Sequence, residues 1–264
     1  MISESIPVQE IGDIPPLIDL HCHLLPGVDD GARTAEQSAQ VVRNFWNEGV
    51  REVCLTPHLL LSETAGATRA ARVALCDRAH QALLAATGPS PLRIWRGCEL
   101  MIDEPPSDRH DLSAPLTLGA SRALLIEFSH SITHASVSGT VRALRDRGLV
   151  PLIAHPERYE CCSPHAVDEW RHEGAWIQCD ATSAAFGTHW RGPRARELLS
   201  FGLVDMLAGD NHGDDRSLTA AYRHLVAAGN AAAAERLCSA AARALLEGGE
   251  RLPPLSVALV ATSV

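Results

Sequence analysis

Short apolar runs alternate with amphipathic segments along most of this chain. The apolar runs predict seven β-strands, at residues 17–23, 51–58, 93–100, 122–129, 150–155, 175–182 and 204–210. The segments between them have helical periodicity: one begins at Thr34, with Gln37 completing a capping box, and another at Ser163, with Pro164 in its first turn. This alternation is typical of repeated βα units around a parallel sheet, an α/β fold.

The remaining segments predict peripheral structure around that sheet. Residues 191–200 and 217–247 are rich in alanine and leucine and predict outer helices, including the alanine run 231–234. Residues 101–117, with several prolines and charges, predict a surface loop. Residues 1–16 and the tail after Pro253 predict peripheral extensions. A chain of 264 residues that is 46% hydrophobic can bury one large core, so a single domain over residues 1–264 is expected.

Charge and composition exclude several classes of protein. The net charge is -9, which disfavours a broad nucleic-acid-binding face. All 23 basic residues are arginine, so a Walker A lysine, a Schiff-base lysine and a carbamylated lysine are excluded. No apolar stretch approaches the length of a membrane span, and residues 1–10 have no signal-peptide pattern. We therefore expect a cytoplasmic protein without membrane insertion.

The cysteines do not form a recognisable site. There are eight, with no C-x-x-C spacing, which argues against a zinc ribbon or a thioredoxin motif. No cysteine is followed at the sixth position by arginine, as the phosphate loop of cysteine-based phosphatases requires. Cys22 and Cys98 stand beside candidate ligands but alternate to the opposite face of their strands, so we expect both to pack in the core.

Six of the seven predicted strands end in residue types that bind metal ions. His21 and His23 close the first strand two residues apart, so both imidazoles point to one face and can reach a single ion. The other candidates at strand ends are His58, Glu99, Glu127, His155, Asp210 and His212. Asp29 and Asp30 follow the first strand and could add a carboxylate. In a parallel barrel all of these positions meet at the C-terminal mouth.

Each candidate also has a non-functional interpretation. A single histidine at a strand end is usually hydrogen-bonded or partly exposed, and a buried Glu127 could pair with an arginine as well as with a metal. His130, His134 and His189 are loop residues that could line the mouth. Because every strand but one contributes a ligand type at the same end, the joint pattern favours a metal site.

The ordered motifs resemble those of a known enzyme family. They are Asp-Leu-His-Cys-His, Val-Asp-Asp-Gly, Thr-Pro-His, Gly-Cys-Glu, Leu-Ile-Glu-Phe, Ala-His-Pro-Glu-Arg-Tyr and Gly-Asp-Asn-His, between residues 18 and 216. The set is similar to that of PHP-type (polymerase and histidinol phosphatase) protein-tyrosine phosphatases from bacterial capsule and exopolysaccharide operons. The resemblance implies a distorted (β/α)7 TIM-like barrel, the PHP fold, with three divalent ions at its mouth.

The resemblance also implies a role for each site residue. The first ion would bind to His21, His23, Glu99 and Asp210; the second to Glu99, Glu127 and His155; the third to Asp30, His58 and His212. Arg158 and Arg216 would hold the phosphate. The spacing around Arg216 differs from the family pattern by one residue. Mixed imidazole and carboxylate ligands suit manganese, iron and zinc alike; Mn²⁺ is the expected ion, with iron or Zn²⁺ as alternatives.

The implied activity is hydrolysis of phosphotyrosine by a metal-bound hydroxide. The implied partner is a tyrosine-phosphorylated protein, in particular a bacterial tyrosine autokinase of capsule or exopolysaccharide synthesis. Two alternatives stay open at this point: another PHP phosphoesterase, such as a histidinol-phosphate phosphatase or a polymerase-associated exonuclease, and a non-catalytic metal-binding regulator. The oligomeric state has no signature in the sequence.

Overall fold

Parallel β-strands form the centre of the molecule in the computed structural model, which describes residues 14–257. The segments expected to be peripheral therefore lie mostly outside the described residues, at 1–13 and 258–264. In the described part of the tail after Pro253, Val257 is buried in the core and donates to Leu199 O, which corrects the expectation there. Within the described range there are nine strands: Leu17–Cys22 (β1), Val50–Leu55 (β2), His58–Leu60 (β3), Arg93–Arg96 (β4), Glu99–Met101 (β5), Ala123–Glu127 (β6), Val150–Ala154 (β7), Trp176–Asp180 (β8) and Met206–Ala208 (β9). They form two parallel sheets, ordered β1-β2-β4 and β3-β5-β6-β7-β8-β9.

Two predicted strands are each divided in two, which corrects the expectation for residues 51–58 and 93–100. The first divides at Thr56 and Pro57, because proline has no N–H to donate to a neighbouring strand. The second divides at Gly97, where an added Cβ would lie 2.7 Å from the Leu118 side chain. In both cases the chain leaves the three-stranded sheet and enters the six-stranded one.

The two sheets close into a barrel at a seam between β1 and the end of β9. Asp210 N donates to His21 O over 3.0 Å, and His23 N donates to Asn211 O over 2.7 Å. On the opposite side the continuous chain β2–β3 and β4–β5 joins the sheets. The predicted α/β fold, a distorted TIM-like barrel, is confirmed.

Helices surround this barrel. They are Ala35–Asn47 (α1), Gly66–Thr87 (α2), His134–Asp146 (α3), Pro164–His172 (α4), Ala181–Phe186 (α5), Arg191–Ser200 (α6), Leu218–Ala227 (α7), Ala231–Glu235 (α8) and Ala241–Leu246 (α9), with a π-helical turn at Arg236–Ala240. Thr34 accepts from Gln37 N at the start of α1, as predicted, but the Gln37 side chain accepts from Arg33 N instead of completing the box at Thr34.

Two further expectations need correction. The region 217–247 is not one continuous helical segment, because Gly229 adopts φ +81° and ends α7 before α8 begins. The irregular region 101–117 is not only a surface loop, since Leu112 and Leu116 are buried in the core. Within the described range no helix is both long enough and apolar enough to span a membrane.

Candidate metal centre

The first ligand group lies at the mouth of the barrel, beside the β1–β9 seam. His21, His23, Glu99 and Asp210 are all buried, and one ligand atom of each lies within 4.8 Å of the others. His21 Nε2 is 3.1 Å from Glu99 Oε2 and 3.3 Å from Asp210 Oδ1. This is the same set of four residues that the motifs assign to the first ion.

The second group shares Glu99 with the first. His58 Nδ1 lies 3.1 Å from Glu99 Oε2 and 3.0 Å from Glu127 Oε1, so these three residues form a compact triad. His155, which the motifs assign to this ion, is 2.8 Å from Glu99 Oε1 but 3.9 Å from Glu127 Oε2. The structure thus places His155 next to the triad and His58 inside it.

The third group is the most exposed of the three. It contains Asp30, His58 and His212, as the motifs indicate, together with His23. Asp30 Oδ1 is 3.4 Å from His58 Nε2 and 3.5 Å from His212 Nε2. Glu99, His23 and His58 each belong to two groups, so eight of the nine predicted ligands form one continuous cluster. The ninth, His155, contacts this cluster at Glu99.

Two neighbouring side chains fix the orientation of the first two imidazoles. Gln178 Oε1 lies 2.9 Å from His21 Nδ1, and the Gln178 amide donates to Cys179 O, so its oxygen must face the imidazole. Asp29 Oδ2 lies 2.9 Å from His23 Nδ1. Since both acceptors hold a proton on Nδ1, the Nε2 lone pairs of both rings point into the site.

Those two lone pairs are the feature that best fits a cation. The Nε2 atoms of His21 and His23 are 3.1 Å apart, and facing lone pairs at that distance repel unless a proton or a metal ion lies between them. Glu99 Oε2 is buried beside them and has no hydrogen-bond donor among the described residues. These nitrogen and oxygen ligand atoms therefore fit a divalent ion.

The pKa shifts of the buried histidine and carboxylate side chains also favour a bound cation. Although burial disfavours the imidazolium form, the carboxylates of Glu99 and Asp210 raise the pKa of His21 to about 9. Burial also opposes ionisation of Asp29, yet its hydrogen bond with His23 lowers the Asp29 pKa to about 2. Without a cation the imidazoles of His21 and His23, whose pKa values are both raised, must take up protons to balance the buried carboxylates, and a metal ion replaces those protons.

The backbone is strained at two of these ligands. His155 (φ +30°) and Asp210 (φ +48°) are the non-glycine residues with positive φ in the range 14–257. Such conformations cost free energy and persist where the surrounding structure imposes them. At His155 the strain reverses the chain into the 3₁₀ turn Pro156–Arg158, which returns the Arg158 side chain to the mouth.

The two arginines assigned to phosphate both reach Asp210. Arg158 Nη2 donates to Asp210 Oδ2 and, over 3.2 Å, to Asp180 Oδ2. Arg216 Nη1 is 3.3 Å from Asp210 Oδ2, and Arg216 also pairs with Asp214. Arg158 does not pair with its neighbour Glu157, which is buried and accepts from Asp180 N.

Comparison with known proteins identifies the family. Residues 17–247 match the family described as capsular polysaccharide synthesis, CpsB/CapC.

The chain belongs to the CpsB/CapC family.

Relatives of this chain are named as phosphatases. It is 28% identical over 204 residues to the tyrosine-protein phosphatase YwqE of Bacillus subtilis (strain 168), covering 74% of this chain and 77% of that protein. It is 26% identical over 208 residues to the tyrosine-protein phosphatase CpsB of Streptococcus pneumoniae, covering 75% and 84%. A solved structure described as YwqE from Bacillus subtilis and CpsB from Streptococcus pneumoniae, unique metal-dependent tyrosine phosphatases, shares the fold, with a TM-score of 0.71 at 24% identity over 92% of this chain and 100% of that chain.

Sequence reasoning missed two site residues of this CpsB/CapC chain. Gln178 and Asp180 were not singled out, although they lie two residues apart on β8 and therefore on the same face of that strand. A polar amide inside an otherwise apolar strand was the available signal. Asp29 was considered only as a possible ligand, and the structure instead places it behind His23 as its hydrogen-bond partner.

The loop histidines and the cysteines belong to none of the three ligand groups found among residues 14–257. His134 stacks against Trp170 with 5.7 Å between ring centroids, and His130 and His189 are exposed. Cys22 Sγ contacts Cys54 O over 3.3 Å, and Cys98 Sγ contacts Leu116 O over 3.4 Å. Burial raises the pKa of both thiols well above the usual range, so neither is poised as a nucleophile.

We expect Gln178→Ala to weaken metal affinity by about 10- to 100-fold, as outer-shell substitutions commonly do. The physical reason is that His21 loses the acceptor that fixes its tautomer. Gln178→Glu keeps an acceptor oxygen and should retain most of the affinity. Titration with Mn²⁺ checks this, with Gln40→Ala as the control, because Gln40 bonds only Asn44 and Arg43 on the exposed face of α1. Equal affinity in Gln178→Ala and Gln40→Ala would remove Gln178 from the site.

Proposed function

We propose that this chain is a metal-dependent phosphomonoesterase that removes phosphate from tyrosine side chains of a partner protein. The observation that carries the proposal is the continuous cluster of eight ligand residues, with the Nε2 lone pairs of His21 and His23 held towards one point. The names of the CpsB/CapC relatives support the choice of tyrosine phosphate as substrate.

The cofactor in this proposal is a set of three divalent ions, with Mn²⁺ preferred and iron or Zn²⁺ as alternatives, because imidazole and carboxylate ligands suit all of them. His21, His23, Glu99 and Asp210 would hold the first; Glu127, with His58 or His155, would complete the second around Glu99; Asp30 and His212 would complete the third. Bound ions of this kind acidify a water molecule and neutralise phosphate charge.

Two arginines at the site can supply positively charged hydrogen-bond donors for phosphate, which the metal ligands do not supply. Arg158 is one-fifth exposed, and its guanidinium stands between Asp180 and Asp210 at the edge of the cluster. A guanidinium there can bind two phosphate oxygens at once and balance the charge that spreads over them during transfer. Arg216 contacts the same oxygen of Asp210 over 3.3 Å and can contribute a second positive charge.

The site suits an aryl ester better than an alkyl ester. A phenolate leaving group needs little protonation, so a site with few free general acids can expel it. Most histidines and carboxylates here are committed to the ligand groups. This favours phosphotyrosine over phosphoserine.

We expect phosphotyrosine peptides to be hydrolysed with a higher kcat/KM than phosphoserine peptides of the same sequence, because the better leaving group needs no acid. Phosphate release from matched peptides measures this, with histidinol phosphate assayed in parallel. If histidinol phosphate gave much the higher kcat/KM, the enzyme would be a different PHP phosphatase. Turnover of none of the three substrates by metal-loaded protein would indicate a non-catalytic regulator.

The physiological partner in this proposal is a tyrosine-phosphorylated autokinase of capsule or exopolysaccharide synthesis. The description of the family, capsular polysaccharide synthesis, supports this process. The cytoplasmic location expected from the sequence stays part of the same proposal.

A further inference from the structure

Two exposed aromatic side chains stand beside the mouth of the barrel. Phe186 is 50% exposed and Trp190 is 51% exposed, and they flank the segment between α5 and α6. α5 begins directly after Asp180, at the C-terminal end of β8. Segments that follow strand ends surround the mouth of a parallel barrel, so this segment lies on the side of the barrel where the ligands meet.

Arg194 connects Trp190 to the chain just after the 3₁₀ turn Pro156–Arg158. Its Nη1 donates to Tyr159 O over 2.7 Å, and Tyr159 directly follows Arg158. Its guanidinium carbon lies 4.9 Å from the centroid of the Trp190 ring, and that of Arg191 lies 5.3 Å away. Phe186, Trp190, Arg191 and Arg194 are named the aromatic rim below.

The aromatic rim carries positive charge that the described residues do not neutralise. Arg158 and Arg216 pair with carboxylates, whereas Arg191 and Arg194 form no ion pair among residues 14–257, although the whole chain has a net charge of -9. Exposed tryptophan next to arginine is the composition that contributes most to protein recognition sites. An acidic peptide complements this surface.

We propose that the aromatic rim binds the residues flanking phosphotyrosine in an acidic segment of the substrate protein. Trp190 would pack against apolar parts of that segment, and Arg191 and Arg194 would pair with its aspartate and glutamate side chains. The inference rests on the proposed function, because the phosphotyrosine must enter the adjacent metal site. It assigns substrate selection to a surface separate from the groups that perform hydrolysis.

α6 offers a matched pair of variants. Trp190 immediately precedes this helix and Phe201, which is 60% exposed, immediately follows it, about 16 Å away along the axis at 1.5 Å per residue. Trp190→Ala and Phe201→Ala therefore each remove one exposed aromatic ring, but only the first is at the mouth. The substrates are a phosphotyrosine peptide with aspartate and glutamate flanks, the same peptide with neutral flanks, and para-nitrophenyl phosphate.

For the acidic peptide we expect Trp190→Ala to lose about tenfold in kcat/KM, mostly through KM, as for truncation of a central interface residue. Trp190→Phe should recover most of this loss. Para-nitrophenyl phosphate is too short to reach the rim, so its hydrolysis should change far less. Phe201→Ala should match the wild type on every substrate. Equal losses on the peptide and on para-nitrophenyl phosphate would place Trp190 in the catalytic site and overturn the inference.

A binding measurement keeps the inference independent of turnover. Fluorescence anisotropy with a non-hydrolysable phosphonate version of the acidic peptide should give weaker binding for Trp190→Ala than for Phe201→Ala. Equal binding by the two variants, or equal binding of acidic and neutral peptides by the wild type, would overturn it. If the wild type hydrolysed no phosphate ester, the proposed function would fail, while the anisotropy result would still decide the aromatic rim.

Discussion

Removal of divalent ions with a chelator is expected to abolish phosphatase activity, and added Mn²⁺ is expected to restore it. The thiols of Cys22 and Cys98, which adjoin ligands in the sequence, are buried with strongly raised pKa values and so are not poised to replace a metal-bound nucleophile. A metal ion supplies several kcal/mol of transition-state stabilisation, which corresponds to a loss of about a thousandfold or more in rate. Phosphate release before and after dialysis, with metal content measured alongside, checks this.

Two controls accompany the chelation experiment. Cys22→Ala and Cys98→Ala should remain active, because both thiols pack in the core. The affinity for metal should also fall as the pH is lowered, since protons compete for the raised-pKa imidazole of His21. Full phosphatase activity in protein verified to be metal-free would contradict a metal-based mechanism. Loss of phosphatase activity in Cys22→Ala or Cys98→Ala with the metal still bound would contradict it as well.

Arg158→Ala is expected to lower kcat/KM by tens- to about a thousandfold, the effect of removing one strong contact of roughly 2 to 4 kcal/mol to the transferring phosphate. Arg158→Lys should lose most of the same activity, because lysine keeps the charge but cannot bind two oxygens in the fork geometry of a guanidinium. Kinetics with a phosphotyrosine peptide test both variants.

Bound metal must be measured in the same Arg158 variants, because the guanidinium contacts Asp210, a predicted ligand. Arginine is not itself a ligand, so metal content should equal that of the wild type. Arg43→Ala is a matched control, since Arg43 bonds only Gln40 on the exposed face of α1. A kcat/KM near the wild-type value in Arg158→Ala would mean that this arginine only pairs with acidic neighbours.

Local pattern was sufficient to predict a parallel α/β fold and the positions of the candidate ligands at strand ends, whereas the distorted barrel was predicted from the family resemblance. Apolar runs give the strands, and a residue just after a run must lie at a strand end. His21 and His23 follow directly from alternation along β1. The divisions of two strands at Pro57 and Gly97 were not predicted, because they depend on how one sheet passes into the next and on the nearby side chain of Leu118.

The grouping of the ligands could not be read from the sequence, since it depends on side-chain reach across the mouth. His58 contacts Glu127 and Asp30 with opposite nitrogens of one ring, and this places it in two groups. Gln178 illustrates the same difficulty: its role appears only when β8 is brought next to β1, far away in the sequence. Long-range geometry of this kind has no local signature.

Because its ligands come from both sides of the seam between β1 and β9, a bound metal ion would stabilise this contact between distant parts of the chain. Asp19 and Gly209, which are hydrogen-bonded at this seam, are 190 positions apart, and contacts of such separation form late in folding. An ion held by His21, His23 and Asp210 ties both sides of the seam together, so it should slow unfolding more than it speeds folding. In metal-free protein β1 and β9 would then separate first at this seam, which would expose the edge of β1 to proteases and to other chains.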